Sequence, residues 1–315
     1  MAPTFPILPK TCLILPNHYH LEMPETQLLI RRLLDDVASH IAMLPGPIGR
    51  ETPVPRLTVW SSTSPTMVVS GLFEPMFYAV LSGTKVLFMG ANRFELGAGT
   101  CTVSSFGLPY SDQLIDAAPE SPYVGISLKF DTDILSRIML SMPKNDDRWA
   151  CAVAAGDLNG VIGDAFARFV GLVKTPSDVD ILAPHYESEL YYRLLQSPMG
   201  GTLRQIGQRS EGVRQIKAAA DWLASNNDKP ILVSDLAASA GMSVTSFHRH
   251  FKSMTGYSPL AFQRQIRLQE ARKLLFAGGA DVTSVAYQVG YQSPSQFSRE
   301  YKSAFGLSPV SDLKR

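Results

Sequence analysis

Apolar positions along this chain follow three different rhythms, and each rhythm predicts a different kind of element. Residues 25–44 place Leu28, Leu29, Leu33 and Leu34 at helical spacing and run into Pro45-Gly46-Pro47, which predicts a helix and its stop. From Val54 to about Phe130 the period shortens. Leu57 to Trp60, Met76 to Leu81, Val86 to Met89, Thr100 to Val103 and Tyr123 to Phe130 are β-rich runs. They are punctuated by Gly71, Gly83, Gly90, Gly97, Gly99 and Gly107. Short strands with glycine turns predict an antiparallel sandwich or small barrel. Beyond Phe130 the helical rhythm returns, in Ile134, Leu135, Ile138 and Met139, then in Val161, Ile162, Ala165, Phe166, Phe169 and Val170, then in Leu190, Leu194 and Leu195. The segment Pro198-Met-Gly-Gly201 and the polar stretch after it form the expected domain boundary, and a further helix from Val213 to Leu223 opens the C-terminal region.

Within this C-terminal region a single pattern occurs twice. The first copy reads Leu236-Ala-Ala-Ser-Ala-Gly-Met-Ser243, then Phe247-x-Arg249-x-Phe251-Lys252-Ser253, then Gly256-x-Ser258-Pro259. The second reads Val285-Ala-Tyr-Gln-Val-Gly-Tyr-Gln-Ser293, then Phe297-x-Arg299-x-Tyr301-Lys302-Ser303, then Gly306-x-Ser308-Pro309. Each is a short helix, a glycine turn, a serine-capped second helix and a glycine–proline stop, which together make a helix-turn-helix. Ser234 is the expected cap of the first short helix. Phe247 and Phe251, like Phe297 and Tyr301, are four residues apart and anchor the second helix of their unit. That leaves Ser243, Thr245, Ser246, His248, Arg249 and Lys252 facing outward in the first unit, and Ser293, Ser295, Gln296, Ser298, Arg299 and Lys302 in the second. Such side chains donate to base edges and phosphates. The shared residues are mostly scaffold, so base readout is expected where the copies differ: at Thr245, Ser246 and His248, and at Ser295, Gln296 and Ser298. Between the units Ser258 to Phe276 is uninterrupted helix former, about 27 Å long, close to one turn of B-DNA at roughly 34 Å.

Composition adds a location and a partner. The net charge of +1 hides an asymmetry: Glu211 to Arg315 carries 13 Lys+Arg against 8 Asp+Glu, and the rest of the chain carries 16 against 20. A basic third on an acidic chain points to a polyanion. No apolar run reaches the roughly 18 residues of a membrane span, and no secretory leader is evident. Cys12, Cys101 and Cys151 are widely spaced and odd in number, which predicts neither a disulfide framework nor a zinc site and fits a reducing cytoplasm.

Residues 213 to 315 resemble the DNA-binding domain of the AraC/XylS family of bacterial transcription regulators. The resemblance rests on the repeated units above, on Arg267-Leu-x-x-Ala271-Arg-x-Leu274-Leu between them, and on the closing Phe305-Gly306-x-Ser-Pro309. The N-terminal region is also similar to one regulator subgroup, through Glu74-Pro75, Leu81-x-Gly-x-Lys85, Ser104-Ser, Leu108-Pro109, Pro122-Tyr123 and Tyr192-Arg-Leu-Leu195. The resemblance implies an α+β chain in two domains. Residues 1–205 would form a cupin-like β-barrel with flanking helices, which senses a signal and dimerises. Residues 206–315 would form an all-α domain with helix-turn-helix motifs at about 234–254 and 282–305. The implied partners are double-stranded promoter DNA, RNA polymerase, a small-molecule effector and a second copy of the chain, with an activator's role in the cytoplasm. A dimer stripe is expected within Leu158 to Val173.

An enzymatic barrel is the competing class. Metal-dependent cupins hold their ion with clustered histidines, yet Val54 to Phe130 contains none. His18-x-His20 lies upstream in a proline-rich segment, and no phosphate loop or hydrolase motif is present. No catalytic residue, metal or cofactor is expected. For a binding barrel, Phe77, Phe88 and Tyr110 are candidate effector contacts among several aromatics. Cys101 is a candidate sensor thiol if it is accessible and acidic, and an inert core thiol otherwise. Two alternatives remain: a metalloenzyme-like cupin on a DNA tether, and a barrel that binds a protein partner.

Overall fold

The computed structural model describes residues 24–89, 92–143, 150–207, 211–278 and 281–313. Cys12 and the His18-x-His20 pair lie outside them. The first helix, α1 (Pro24–Val37), buries Leu33 and Val37. It ends sooner than its apolar spacing predicts, in a tight turn over Ala38–His40. Beyond that turn the backbone of Ala42 is bonded by a side chain: its N–H donates to Ser61 Oγ at 2.8 Å, and Ser61 Oγ donates back to its carbonyl at 3.1 Å. These bonds replace the helical ones.

Among the described residues ten strands follow, all paired antiparallel: β1 (Ile48–Glu51), β2 (Leu57–Ser62), β3 (Val69–Leu72), β4 (Met76–Ser82), β5 (Thr84–Met89), β6 (Asn92–Gly97), β7 (Thr100–Ser104), β8 (Pro109–Asp116), β9 (Tyr123–Lys129) and β10 (Val153–Asp157). They form one sheet in the order β1-β2-β9-β4-β7-β10 and another in the order β3-β8-β5-β6. Neither sheet closes on itself, so the sandwich alternative describes the strands better than a closed barrel. Gly83 shows how the chain changes sheets. At φ +73° it turns β4 into β5, and a Cβ there would sit 2.4 Å from the Asp116 carbonyl oxygen, so only glycine fits the corner. Strand alternation then sorts side chains into layers. Phe77, Ala79 and Leu81 of β4 point into a core shared with helices, whereas Val80 points into a core shared with Leu87, Met89, Phe94 and Leu114 of the smaller sheet.

The helical layer comprises α1, α2 (Thr132–Ser141), α3 (Gly160–Gly171), α4 (Val179–Gln196) and α5 (Gly200–Gly207). Asp131 caps α2, its Oδ1 accepting from the N–H groups of Asp133 and Ile134 at 3.0 Å. The α3 stripe expected to pair two copies is used within the chain. Ala165, Phe166, Phe169 and Val170 are all 1% exposed or less, and Phe166 meets Phe77 edge-on at 5.0 Å between ring centres. Helix α5 runs through the Gly200-Gly201 pair and fastens the segment before β10. Thr202 Oγ1 donates to the Cys151 carbonyl at 2.8 Å, and Gln205 Nε2 donates to the Ala150 carbonyl. Cys151 is disulfide-bonded, although the odd number and wide spacing of the cysteines predicted no disulfide framework.

Seven helices complete the described chain: α6 (Glu211–Ser225), α7 (Val233–Ser239), α8 (Val244–Thr255), α9 (Pro259–Ala277), α10 (Val282–Gln288), α11 (Pro294–Phe305) and α12 (Pro309–Leu313). Their apolar residues divide unequally. Ile216, Leu223, Phe247, Phe251, Phe262 and Ile266 belong to one continuous core with Phe106, Leu108 and Tyr123 of the sandwich. Leu268, Ala271, Leu275, Val285, Phe297, Tyr301 and Phe305 form a separate core. Helix α9 contributes to both and packs on both sides, which explains why it shows no single apolar stripe.

Candidate nucleic-acid interface

The first helix-turn-helix is α7 and α8. Leu236 and Ala237 point inward, and Gly241 turns the chain at φ +61°, its N–H donating to the Ala238 carbonyl at 2.9 Å. Ser243 Oγ accepts from the Ser246 N–H at 3.3 Å and caps α8 as expected. Ser234 does not cap α7. It lies inside that helix, where its hydroxyl donates to Asp235 Oδ1 at 3.3 Å, and the cap position falls to Leu232, which gives no side-chain bond. Phe247 and Phe251 are fully buried, and Phe251 meets Phe262 of α9 at 5.4 Å, nearly perpendicular. The opposite face of α8 carries Thr245, Arg249 and Lys252 in solvent, with Ser246 and His248 half-buried beside them.

The second unit, α10 and α11, repeats this with one addition. Asp281 caps α10, its Oδ1 accepting from the N–H groups of Thr283 at 2.8 Å and Ser284 at 3.1 Å. The Ser284 hydroxyl donates to its other oxygen at 2.6 Å, and that bond, followed by the two from the backbone, holds the carboxyl below the usual carboxylate range. Pro294 sits in the first turn of α11, where its missing N–H leaves no bond unmade, and Ser293 Oγ accepts from the Gln296 N–H at 3.3 Å. Ser295, Gln296, Arg299 and Lys302 are exposed and Ser298 is half-buried. Gln296 Nε2 donates to Glu300 Oε1 at 3.1 Å, while Tyr291 donates to Glu300 Oε2 at 2.7 Å. An amide has a second N–H and a carbonyl, so Gln296 is oriented with capacity left for a base edge.

Neither Arg249 nor Arg299 makes an ion pair among the described residues. Arg249 approaches His250 Nε2, at 3.4 Å. Burial first, and the Arg249 charge second, hold the His250 imidazole below its ordinary range. The outward faces of both units therefore present positive charge beside neutral donors and acceptors, the combination that engages phosphates and base edges.

The linker basic residues play structural parts. Arg267 Nη1 donates to the Gly290 carbonyl and Nη2 to the Lys229 carbonyl, each at 3.0 Å, and Nε donates to the Asn227 carbonyl. Arg272 pairs with Asp312 at 3.0 Å, lies 4.8 Å over the Phe305 ring and donates to the Val68 carbonyl of the sandwich at 2.8 Å. The sequence alone leaves the role of these arginines open. Its one signal is the placement of Gln263 and Arg267 four apart, on one face of a helix.

The candidate effector residues separate into two groups. Phe77 and Cys101 are sealed in the core at 0% and 1% exposure, and burial, aided by the Asp157 charge, pushes the Cys101 thiol far above its ordinary range. Phe88 and Tyr110 both lie on the sandwich side of its seam with α9. Phe88 borders a cavity of about 520 Å³ with Val68, Ser111, Arg264, Leu268 and Glu300. Tyr110 stacks on Phe73 at 4.2 Å, its carbonyl accepts from Gln269 Nε2 at 2.9 Å, and burial followed by the Asp112 charge pushes its hydroxyl up to about 12. Inside the sandwich Lys85 pairs with Asp112 at 3.1 Å and lies 4.1 Å over the Tyr78 ring. Among the described residues no group of three His, Cys, Asp or Glu side chains stands together as a metal cage.

With this geometry in place, likeness to known proteins is informative. The AraC-type transcriptional regulator N-terminus family matches residues 53–202, and a helix-turn-helix domain family matches residues 236–315. The probable thc operon regulatory protein of Rhodococcus erythropolis is 36% identical over 102 residues, which is 31% of this chain and 31% of that protein. This chain therefore matches only about a third of that relative's length. The lactose operon transcription activator of Staphylococcus xylosus is 27% identical over 236 residues, covering 75% of this chain and 82% of that one. In fold, the chain is similar to ToxT from Vibrio cholerae O395 bound to (E)-4-(8-methylnaphthalen-1-yl)but-3-enoic acid, at TM-score 0.50 and 13% identity over 82% of this chain and 97% of that one. Matched in both its sandwich half and its paired helix-turn-helix half, the chain belongs to the family of AraC-type transcriptional regulators.

Proposed function

We propose that this chain is a sequence-specific DNA-binding transcription activator whose N-terminal half, up to residue 205, regulates the DNA-reading half, from residue 206. The observation that carries this is the pair of capped helices α8 and α11, each anchored by two aromatics and each presenting an arginine and a lysine outward. Because the outward residues differ between the units, one chain reads two unlike half-motifs. Selection of bound duplexes from a randomised pool tests the reading. Wild type is expected to enrich a two-part site, and Arg249→Ala or Arg299→Ala to weaken binding to it by about 1–3 kcal/mol without changing the melting temperature. Unchanged affinity in both variants would assign those arginines structural roles.

The chain acts, in this reading, by binding and not by catalysis, in keeping with relatives that are transcription regulators. An effector at the seam would contact Phe88, and would reach Tyr110, Phe77 and Cys101 only through the packing around them. Ligand binding there changes the placement of the reading helices by differential affinity for two arrangements. Pairing of two copies would use apolar residues left exposed on the helical layer, such as Val161, Ile181 and Tyr192. Contact with RNA polymerase and residence in the cytoplasm follow from the same role. No described helix is long and apolar enough to cross a membrane.

A further inference from the structure

The two reading units do not share an apolar core. The first unit's residues pack with the sandwich, the second unit's pack among themselves, and α9 is the element common to both. A lone helix fixes the distance between its ends but leaves its flanking units free to rock about it. The structure supplies a second connection, made of polar contacts. The turn between α6 and α7 crosses to the turn of the second unit, and the Arg267 guanidinium lies between them. It donates to the Asn227 and Lys229 carbonyls on one side and to the Gly290 carbonyl on the other. Gln263, one turn earlier on α9 and 5% exposed, donates to the same Asn227 and Lys229 carbonyls at 3.2 and 2.7 Å. The fit is close: a Cβ on Gly290 would stand 2.3 Å from the Asp228 carbonyl oxygen. A planar fork with five N–H donors suits three carbonyls at fixed angles, which a lysine ammonium on a flexible stem does not reproduce.

We propose that Arg267, supported by Gln263, sets the spacing at which α8 and α11 are presented, so that the protein selects DNA by the distance between half-motifs as well as by their bases. Arg267 is a positioning residue here and touches no base, and the proposal rests on the DNA-reading function above. Adding one base pair between half-motifs rotates the second about 34° and moves it about 3.4 Å along the axis. A rigid pair of units cannot follow that displacement, whereas a pair joined by α9 alone can.

The experiment uses the full chain and the two-part site that wild type selects from randomised duplexes, compared with the same site carrying one inserted base pair. Wild type is expected to lose about tenfold or more on insertion, comparable to losing one well-read base pair. Arg267→Lys is expected to bind the selected site a few-fold more weakly but to lose less than about threefold on insertion. Gln263→Leu, which keeps the guanidinium, should fall between the two. Circular dichroism confirms folding. An insertion penalty unchanged from wild type in folded Arg267→Lys, or in Gln263→Leu if Arg267→Lys does not fold, overturns the inference while leaving DNA reading intact. Failure of wild type to select any sequence sinks the DNA-reading proposal itself.

Discussion

Replacing the turn glycine by alanine in each unit should have unequal costs, although the two glycines hold the same place in the repeat. Gly241 has φ +61°, and a Cβ there would meet nothing nearer than Gln215 Nε2 at 3.7 Å. The substitution then costs only the left-handed conformation, about 1–2 kcal/mol, partly offset by a less flexible unfolded chain. Gly290 has φ +87°, and its Cβ would meet the Asp228 carbonyl oxygen at 2.3 Å, the carbonyl carbon at 2.8 Å and an Arg267 amino group at 2.9 Å. Those atoms cannot move independently, because the neighbouring carbonyls are held by Arg267 and Gln263. Relieving the clash adds an overpacking cost of about 1–3 kcal/mol, for a total of about 2–5 kcal/mol. Native-state hydrogen exchange measures each unit separately through the amides of α7 and α8 and those of α10 and α11, which global unfolding of a chain with more than one core does not. Gly241→Ala should lower protection of the first unit by the smaller amount and Gly290→Ala that of the second by the larger. Equal losses, within about 0.5 kcal/mol, would refute the reasoning from close approach.

Further consequences can be measured directly. Removing Arg272 leaves Asp312, whose side chain is 6% exposed, with the Tyr301 hydroxyl at 2.8 Å as its one side-chain partner among the described residues, so Arg272→Met should destabilise by about 2–4 kcal/mol, below the full cost of a wholly buried pair because Arg272 is itself 18% exposed. Adding Asp312→Leu should recover some of that loss in a denaturant titration; a double variant worse than the sum of the singles would show that the pair does not act as a unit. Cys101 carries a pH prediction with a defined sign. Because its folded-state pKa is raised, the folded chain retains a proton that the unfolded chain releases above about pH 9, so this thiol's contribution to stability falls as pH rises through that value. Iodoacetamide at mildly alkaline pH should leave the Cys101 peptide unmodified in native protein and alkylate it in urea, as read by mass spectrometry. Rapid native labelling would restore the case for a sensor thiol.

Much of the DNA-reading half was legible in the sequence because its rules are local. Ser243 and Ser293 each accept from an amide three residues on, Gly241 and Gly290 turn the backbone at their own positions, and the anchor pairs lie one helical turn apart. Ser234 misled because a serine near an apolar run competes with its neighbours for the cap, and one position decides which wins. The sensing half was legible in its strands and not in their closure. Alternation tells which face of β4 is buried, but the change of sheet at Gly83 depends on the approach of Asp116, far along the chain. The α3 stripe is apolar as its spacing predicts, but its cover is not a second copy, since periodicity does not distinguish a partner in the same chain from one in another. The role of Arg267 stayed open for a related reason: beyond its spacing from Gln263, nothing marks its acceptors, which are carbonyls that every sequence contains.

The unequal sharing of apolar cores bears on how such a protein can change over time. The second unit has its own core and is joined to the rest by α9, three carbonyls around Arg267 and the contacts of Arg272. Residues on its outward face can drift, and the whole unit can be exchanged, without repacking the sandwich. The first unit can vary on its outward face but cannot be exchanged as freely, because Phe247, Phe251 and Met254 share one core with the sandwich. The two units thus differ in which one can be replaced as a module, not in which one can change its outward residues.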